Sequence, residues 1–220
     1  MAEVDGWLVD RPQGTPKGWF LFAHGAGAPM DSDFMQALAG MLAERGVGVI
    51  RFEFPYMAER RETGKRRPPN KMDVLLEAFQ AQIDRAGEVF PEARLFVGGK
   101  SMGGRVASML VAENVRAGKV AGAVCLGYPF HPPGKPESLR TGHLEHMDSP
   151  TLIVQGTRDK LGDRAEVEGY ELSSGIKLLW LEDGDHDFKP RKSSGFTQQQ
   201  HWQTAAEQAA AFMCAVSAGH

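Results

Sequence analysis

The chain has 220 residues, of which 42% are hydrophobic, 24% charged and 26 glycine; these proportions fit a folded globular protein and exclude a disordered, collagen-like or coiled-coil chain. The formal charge of -3 and a pI near 6.2 give no general attraction for phosphate backbones, so no nucleic-acid partner is expected. Length alone predicts a single domain over residues 1–220.

Short apolar runs alternate with segments of helical period along the whole chain, which predicts a mostly parallel sheet of about six or seven strands with helices on both faces. Trp7–Val9 is expected as an antiparallel edge strand, and Gly18–Ala23 as the first parallel one. A helical stripe of Phe34, Leu38, Met41 and Leu42 leads to the strand Val47–Phe52. The basic stretch Arg60–Asn70 ends in Pro68 and Pro69 and is expected to be an exposed loop. Glu59 and Glu62 dilute its charge, and no aromatic residue is interleaved for base stacking.

The stripe Met72, Leu75, Leu76, Phe79 and Ile83 precedes the strand Leu95–Gly98, and Met102, Val106, Met109 and Leu110 mark a helix after Ser101. Next come the strands Val120–Leu126, Thr151–Gln155 and Ile176–Leu181, and a last helix from Thr197 to Ala218 with Trp202, Ala205, Ala209, Phe212 and Met213 on its inner face. Between the first two of these strands, His131–Pro150 carries four prolines and is expected to be irregular. Cys125 and Cys214 lie far apart in apolar surroundings and are expected to be buried thiols, not a disulfide or zinc pair. The first twenty residues lack the basic start and apolar core of a signal peptide, and no apolar run approaches the roughly 18 residues of a membrane span. A cytoplasmic protein without a membrane partner is expected.

The segment Val97-Gly98-Gly99-Lys100-Ser101-Met102-Gly103-Gly104 contains G-x-S-x-G between a strand and a helix. A serine that attacks a carbonyl must stand on a tight turn at a strand end, where flanking side chains would collide with neighbouring elements. A phosphate-binding loop on Gly99-Lys100-Ser101 would need glycine at position 94, where Arg94 stands. A dinucleotide loop on Gly25 and Gly27, with Glu53 as its ribose acid, would need a third glycine where Met30 stands.

An activated serine needs a base and a group that orients the base. Asp159 follows the strand Thr151–Gln155, and His186 follows Ile176–Leu181, so both belong on the sheet edge that presents Ser101. Asp163 is the better helix cap by position and stands as the substitute acid. His131, His143 and His146 lack the spacing of a zinc site, so no metal is expected. Negative charge developing on the attacked carbonyl needs pre-aimed amide donors. Met102 N–H at the start of a helix is one candidate and Ala26 N–H, in the loop after Gly18–Ala23, the other; His24 is expected to be structural.

With G-K-S-M-G, His24-Gly25-Ala26-Gly27-Ala28, Asp159 and Gly184-Asp185-His186, the chain resembles the α/β-hydrolase superfamily over nearly its whole length, in particular its short, lidless, dienelactone-hydrolase-like branch. The strings from His24 to Phe34 and from Tyr128 to Pro136 resemble a bacterial hydrolase group that is similar to the hydrolase-like region of an animal histone-acetyltransferase-complex subunit. The resemblance implies a three-layer α/β-hydrolase fold without a separate cap domain, a triad of Ser101, Asp159 and His186, an oxyanion hole from Ala26 and Met102, and no cofactor. Dienelactone hydrolase uses a cysteine nucleophile, whereas Ser101 stands here. The expected function is cleavage of a small carboxylic ester or thioester through an acyl-enzyme, by a monomer. The alternatives are a non-catalytic hydrolase-fold interaction module, a peptidase or a dinucleotide-binding oxidoreductase.

Overall fold

The computed structural model describes residues 2–4 and 6–218. Its strands are β1 (Ala2–Val4), β2 (Trp7–Asp10), β3 (Gly18–Ala23), β4 (Val47–Phe52), β5 (Leu95–Lys100), β6 (Gly122–Leu126), β7 (Thr151–Gly156) and β8 (Ile176–Leu181). They form one sheet in the order β1-β2-β4-β3-β5-β6-β7-β8. From β4 across to β8 every pairing is parallel, while β2 pairs antiparallel with β4 and β1 antiparallel with β2. The short β1 makes eight strands and takes the edge position that the sequence assigns to Trp7–Val9. Both glycines of Val97-Gly98-Gly99 remain in the sheet, so β5 runs to Lys100, and β6 begins at Gly122 instead of Val120.

Helices α1 (Asp33–Glu44), α2 (Pro55–Thr63), α3 (Met72–Val89), α4 (Met102–Arg116), α5 (Arg164–Val167) and α6 (Gln198–Ala218) fill the connections. Alternation with period two sorts each strand between two helical layers. In β3, Phe20 and Phe22 join Leu38 and Leu42 of α1 and Ala205 and Ala209 of α6. Trp19, Leu21 and Ala23 face the other way, with Phe79 and Ile83 of α3 and Val106 and Ala107 of α4. Each fully buried Phe or Leu contributes about 1.5–3 kcal/mol of hydrophobic stabilisation. The alanines of α6 let it lie close to the sheet, and a reciprocal cap starts it: Thr197 Oγ1 accepts from Gln200 N–H at 3.2 Å and Gln200 Oε1 from Thr197 N–H at 2.8 Å.

Arg60–Asn70 is not wholly a loop, because Arg60 to Thr63 form the last turn of α2. Pro55 occupies the first turn, where its missing N–H leaves no bond unmade, and Gly64 ends the helix at φ 70°. Arg60 and Arg61 suit the negative end of the helix dipole. On α4 the buried face is Val106, Ala107 and Val111, with Met109 and Leu110 to its side. The segment after Asp163 folds only as the four-residue α5, with Asp163 and Glu166 in a capping box. Cys125 is buried, its thiol pushed up to about 12 by burial; Cys214, expected to be buried too, is partly exposed because it lies off the inner face of α6. No helix among the described residues is long and apolar enough to cross a membrane.

Candidate active site

The chain leaves β3 through α1 toward β4, then crosses back under α3 to β5 on the other side of β3. Connections therefore diverge between β3 and β5, the point at which open parallel sheets generally form a crevice at the carboxyl ends of their strands. Ala23 pairs with Gly99 at that edge. The loop carrying Ala26 and the turn carrying Ser101 consequently emerge side by side. A concavity of about 600 Å³ lined by Arg11, Lys17 and Gly46 lies near the starts of β3 and β4, at the opposite edge from these residues.

Ser101 stands between β5 and α4 at φ 50° and ψ -114°, a backbone region that disfavours every residue except glycine. The neighbouring glycines make room for this turn. A Cβ on Gly99 would lie 2.5 Å from the Ala23 carbonyl oxygen, and one on Gly103 would lie 2.6 Å from the His24 carbonyl oxygen. The turn aims Ser101 Oγ at His186, whose Nε2 is 2.9 Å away, while His186 Nδ1 is 2.7 Å from Asp159 Oδ2. Asp159 is fully buried, whereas the His186 side chain is 28% exposed and open to solvent. The three residues thus form one hydrogen-bonded chain. Asp163 caps α5 and takes no part in it.

Asp159 is held by three N–H donors. Besides His186, Gln155 Nε2 donates to its Oδ2 at 3.0 Å, and Leu161 N–H donates to its Oδ1 at 2.9 Å. Gln155 also accepts from Tyr128 N–H at 2.7 Å, which ties the end of β7 to the segment after β6. The loop carrying His186 is braced by Asp183, which accepts from Arg191 and lies 2.9 Å from Arg158. Beyond it, Asp185 Oδ1 accepts from the amides of Asp187 and Lys189 at 2.9 Å. Among the described residues no group of His, Cys, Asp and Glu is arranged to hold a metal.

The loop after β3 is pinned at both ends. His24 Nε2 accepts from Phe54 N–H at 3.1 Å, which leaves Nδ1 as the donor to the Gly25 carbonyl at 2.7 Å. Burial holds the His24 ring below the usual imidazole range, against smaller raising effects from the Gly25 bond and Glu53. Tyr56 Oη donates to the same region, 3.0 Å from the Ala26 carbonyl and 3.3 Å from that of Gly25. At the far end, Arg51 donates to the Met30 carbonyl at 2.8 Å. In a trans peptide the N–H and C=O point opposite ways. Holding the Gly25 carbonyl on buried His24 therefore directs the Ala26 N–H away from the core, in a loop where a Cβ on Gly25 would lie 3.7 Å from Ser101 Cβ. Met102 N–H, first of α4, has no intrahelical acceptor.

Tyr56, Gln155 and Lys100 shape this site without any signal in the sequence that singles them out. Tyr56 lies in a short helix of low hydropathy, and Gln155 and Lys100 lie in strands buried along their whole length. Apart from the bond between Gln155 and Asp159, four residues apart, their partners are distant in the chain or on its backbone, where spacing rules do not reach.

Residues 16–214 match the model of the alpha/beta hydrolase domain, and the chain belongs to that family. Over 116 residues it is 30% identical to human monoglyceride lipase, a match that covers 53% of this chain and 36% of the lipase. The chain thus spans about a third of the length of the curated relatives it matches. Its fold is similar to that of a dienelactone hydrolase from Anabaena variabilis, with a TM-score of 0.69 and 23% identity over 91% of this chain and 88% of that one. It is also similar to a serine hydrolase without a lid from Xanthomonas campestris, with a TM-score of 0.66 and 17% identity over 92% and 88% of the two chains. Here the connection between β6 and β7, residues 127–150, contains neither helix nor strand.

Proposed function

We propose that the protein hydrolyses carboxylic esters or thioesters through an acyl-enzyme formed on Ser101. The observation that carries this reading is the hydrogen-bonded chain from Ser101 through His186 to buried Asp159, at 2.9 and 2.7 Å. Ser101 Oγ attacks the acyl carbon while its proton passes to His186 Nε2. The carbonyl oxygen takes up the displaced electron pair, and the amides of Met102 and Ala26 stabilise it; each such donor contributes about 3–4 kcal/mol to lowering the barrier. As the tetrahedral centre collapses, the bond to the alcohol or thiol breaks and His186 gives that leaving group its proton. Water then repeats the sequence on the acyl-enzyme, releasing the acid and restoring Ser101. Asp159 keeps the Nδ1–H tautomer and stabilises the imidazolium that forms in each half-reaction.

Family membership and the monoglyceride lipases among the relatives support an ester as the substrate class. The connection between β6 and β7, without helix or strand, supports an open site suited to short acyl chains. Fluorophosphonate treatment followed by peptide mass spectrometry tests the reading. The expected result is an adduct on Ser101 that is lost in Ser101→Ala and strongly diminished in His186→Ala, with faster turnover of a butyrate than of a long-chain ester. A well-folded wild-type protein that takes no label would overturn the hydrolase reading in favour of a non-catalytic scaffold.

A further inference from the structure

Two arginines beside the candidate site lack partners. Arg105 follows Ser101 by one turn of α4, its N–H donating to the Ser101 carbonyl at 3.0 Å. Residues four apart share a helix face, and side chains lean toward the helix N-terminus, so the Arg105 guanidinium leans toward the serine end of α4. Its Nε is buried without a hydrogen-bond partner. Arg140 arrives from the connection between β6 and β7, where its N–H donates to the Phe130 carbonyl at 2.7 Å.

A short relay holds the two together. Tyr128 Oη donates to the Arg140 carbonyl at 2.9 Å and lies 3.5 Å from His143 Nε2. That nitrogen is 2.8 Å from Ser108 Oγ, and Ser108 donates in turn to the Arg105 carbonyl at 2.8 Å. Among the described residues neither guanidinium makes a hydrogen bond or an ion pair. Arg66 and Arg116 also lack protein partners, but they are exposed and water serves them; Arg105 and Arg140 are partly buried. Arg140 is held below the usual guanidinium range by burial and by Arg105, and His143 is lowered by the same two causes.

Gathering two like charges and removing them partly from water is unfavourable unless an anion completes the site. The same connection passes the candidate base: a Cβ on Gly127 would lie 3.0 Å from the His186 carbonyl oxygen and 3.5 Å from its Cε1. We infer that Arg105 and Arg140 together bind an anionic group, a carboxylate or a phosphate, carried by the ester a few bonds from its scissile carbonyl. This names the substrate class of the hydrolase and rests on the reading of Ser101 as nucleophile.

The test compares kcat/KM for the mono-4-nitrophenyl ester of glutaric acid with that for the neutral 4-nitrophenyl valerate. The wild-type protein is expected to prefer the charged ester. In Arg105→Gln and in Arg140→Gln that preference should fall about 10- to 100-fold, the range for a charge-assisted hydrogen bond, and Arg105→Lys should restore part of it. Melting curves check that each variant folds. Should Arg105→Gln fail to fold, Arg140→Gln, which alters the β6–β7 connection and not α4, gives the same readout. A preference ratio that neither substitution changes would overturn the inference.

Calorimetric titration of Ser101→Ala with glutarate and with inorganic phosphate separates the two sources of negative charge without any chemistry at Ser101. Binding that disappears when Arg105→Gln is added supports the anion site even if Ser101 takes no label, in which case only the hydrolase reading falls. Absence of binding by both anions, together with no preference for the charged ester, removes the anion site and leaves the hydrolase reading intact.

Discussion

The Nζ of Lys100 donates a hydrogen bond to the backbone carbonyl of His186 at 2.5 Å, so the residue that precedes Ser101 in the chain holds the residue that Ser101 contacts. The lysine side chain is only 9% exposed and lies 3.3 Å from Asp187, with the rings of Phe34 and Phe188 centred 5.4 and 5.8 Å from its nitrogen. Burial pulls the ammonium below the usual lysine range, and the carboxylates of Asp187 and Asp159 oppose that shift. A buried cation is retained here with one backbone acceptor, one carboxylate and two aromatic rings to compensate it.

Lys100→Met keeps the apolar stem between the two rings and removes the bond to His186. The histidine loop should then loosen while the fold persists. Misplacement of a reacting group by about 1 Å can lower rates on the order of 100-fold, so kcat and the rate of fluorophosphonate labelling should both drop by about 10- to 100-fold. KM should change much less, because the bond that is lost runs from Lys100 to the backbone of the His186 loop. An unchanged kcat would reduce Lys100 to a packing role.

Gly103→Ala tests the contact between the serine turn and the loop after β3. Its Cβ would meet the His24 and Ala23 carbonyl oxygens at 2.6 and 2.7 Å, both backbone atoms that cannot swing aside. Either α4 or the Ala26 loop must move, which displaces the proposed oxyanion donors, the amides of Met102 and Ala26. The expected outcome is a loss of activity of at least about 100-fold, the scale of one lost oxyanion donor, together with a clear drop in melting temperature. Kinetics and a thermal melt on the same sample check both.

Most of the sheet is legible in the sequence because its strands are short, apolar and bounded by polar turns, and because a parallel strand buried on both faces admits little else. The Ser101, Asp159 and His186 positions are legible for a related reason: each follows a strand, and parallel strands deliver their trailing loops to one edge. What escapes is held together by contacts that no local pattern encodes. Helix α2 buries only Tyr56 and Met57, too few for an apolar stripe, so its charged last turn resembles a loop. The pairing of Arg105 with Arg140 depends on how a proline-rich connection folds back against α4, and the bond from Lys100 goes to a backbone oxygen, which has no residue identity to recognise.

Ser101 holds a backbone conformation that costs a non-glycine residue about 1–3 kcal/mol. Ser101→Ala keeps that strain, whereas Ser101→Gly relieves it at an entropic cost of roughly 0.5–1 kcal/mol from the more flexible unfolded chain. The glycine variant should therefore be the more stable of two inactive proteins. A net gain of about 1 kcal/mol corresponds to a melting temperature about 2–4 °C higher for a chain of this size. Parallel thermal unfolding of the two variants checks it, and a glycine variant that melts below the alanine variant would contradict strain at the turn.

His24 links stability to pH with a definite sign. Its Nε2 already accepts from Phe54 N–H and its ring is buried, so the folded protein resists the proton that would convert this acceptor into a donor. The unfolded chain takes that proton up below about pH 6.5, the ordinary histidine value. Between there and the lower folded value, the unfolded state binds more protons and stability falls with pH, by at most about 1.4 kcal/mol per pH unit for this one group. His24→Gln removes the titration along with the native bonds. The variant should be less stable than wild type at pH 7.5, and the gap should narrow as the pH is lowered to 5.5. Urea unfolding of both proteins at the two pH values measures it; a gap that stays constant or widens would mean that His24 is not the neutral anchor of the Gly25–Ala26 peptide.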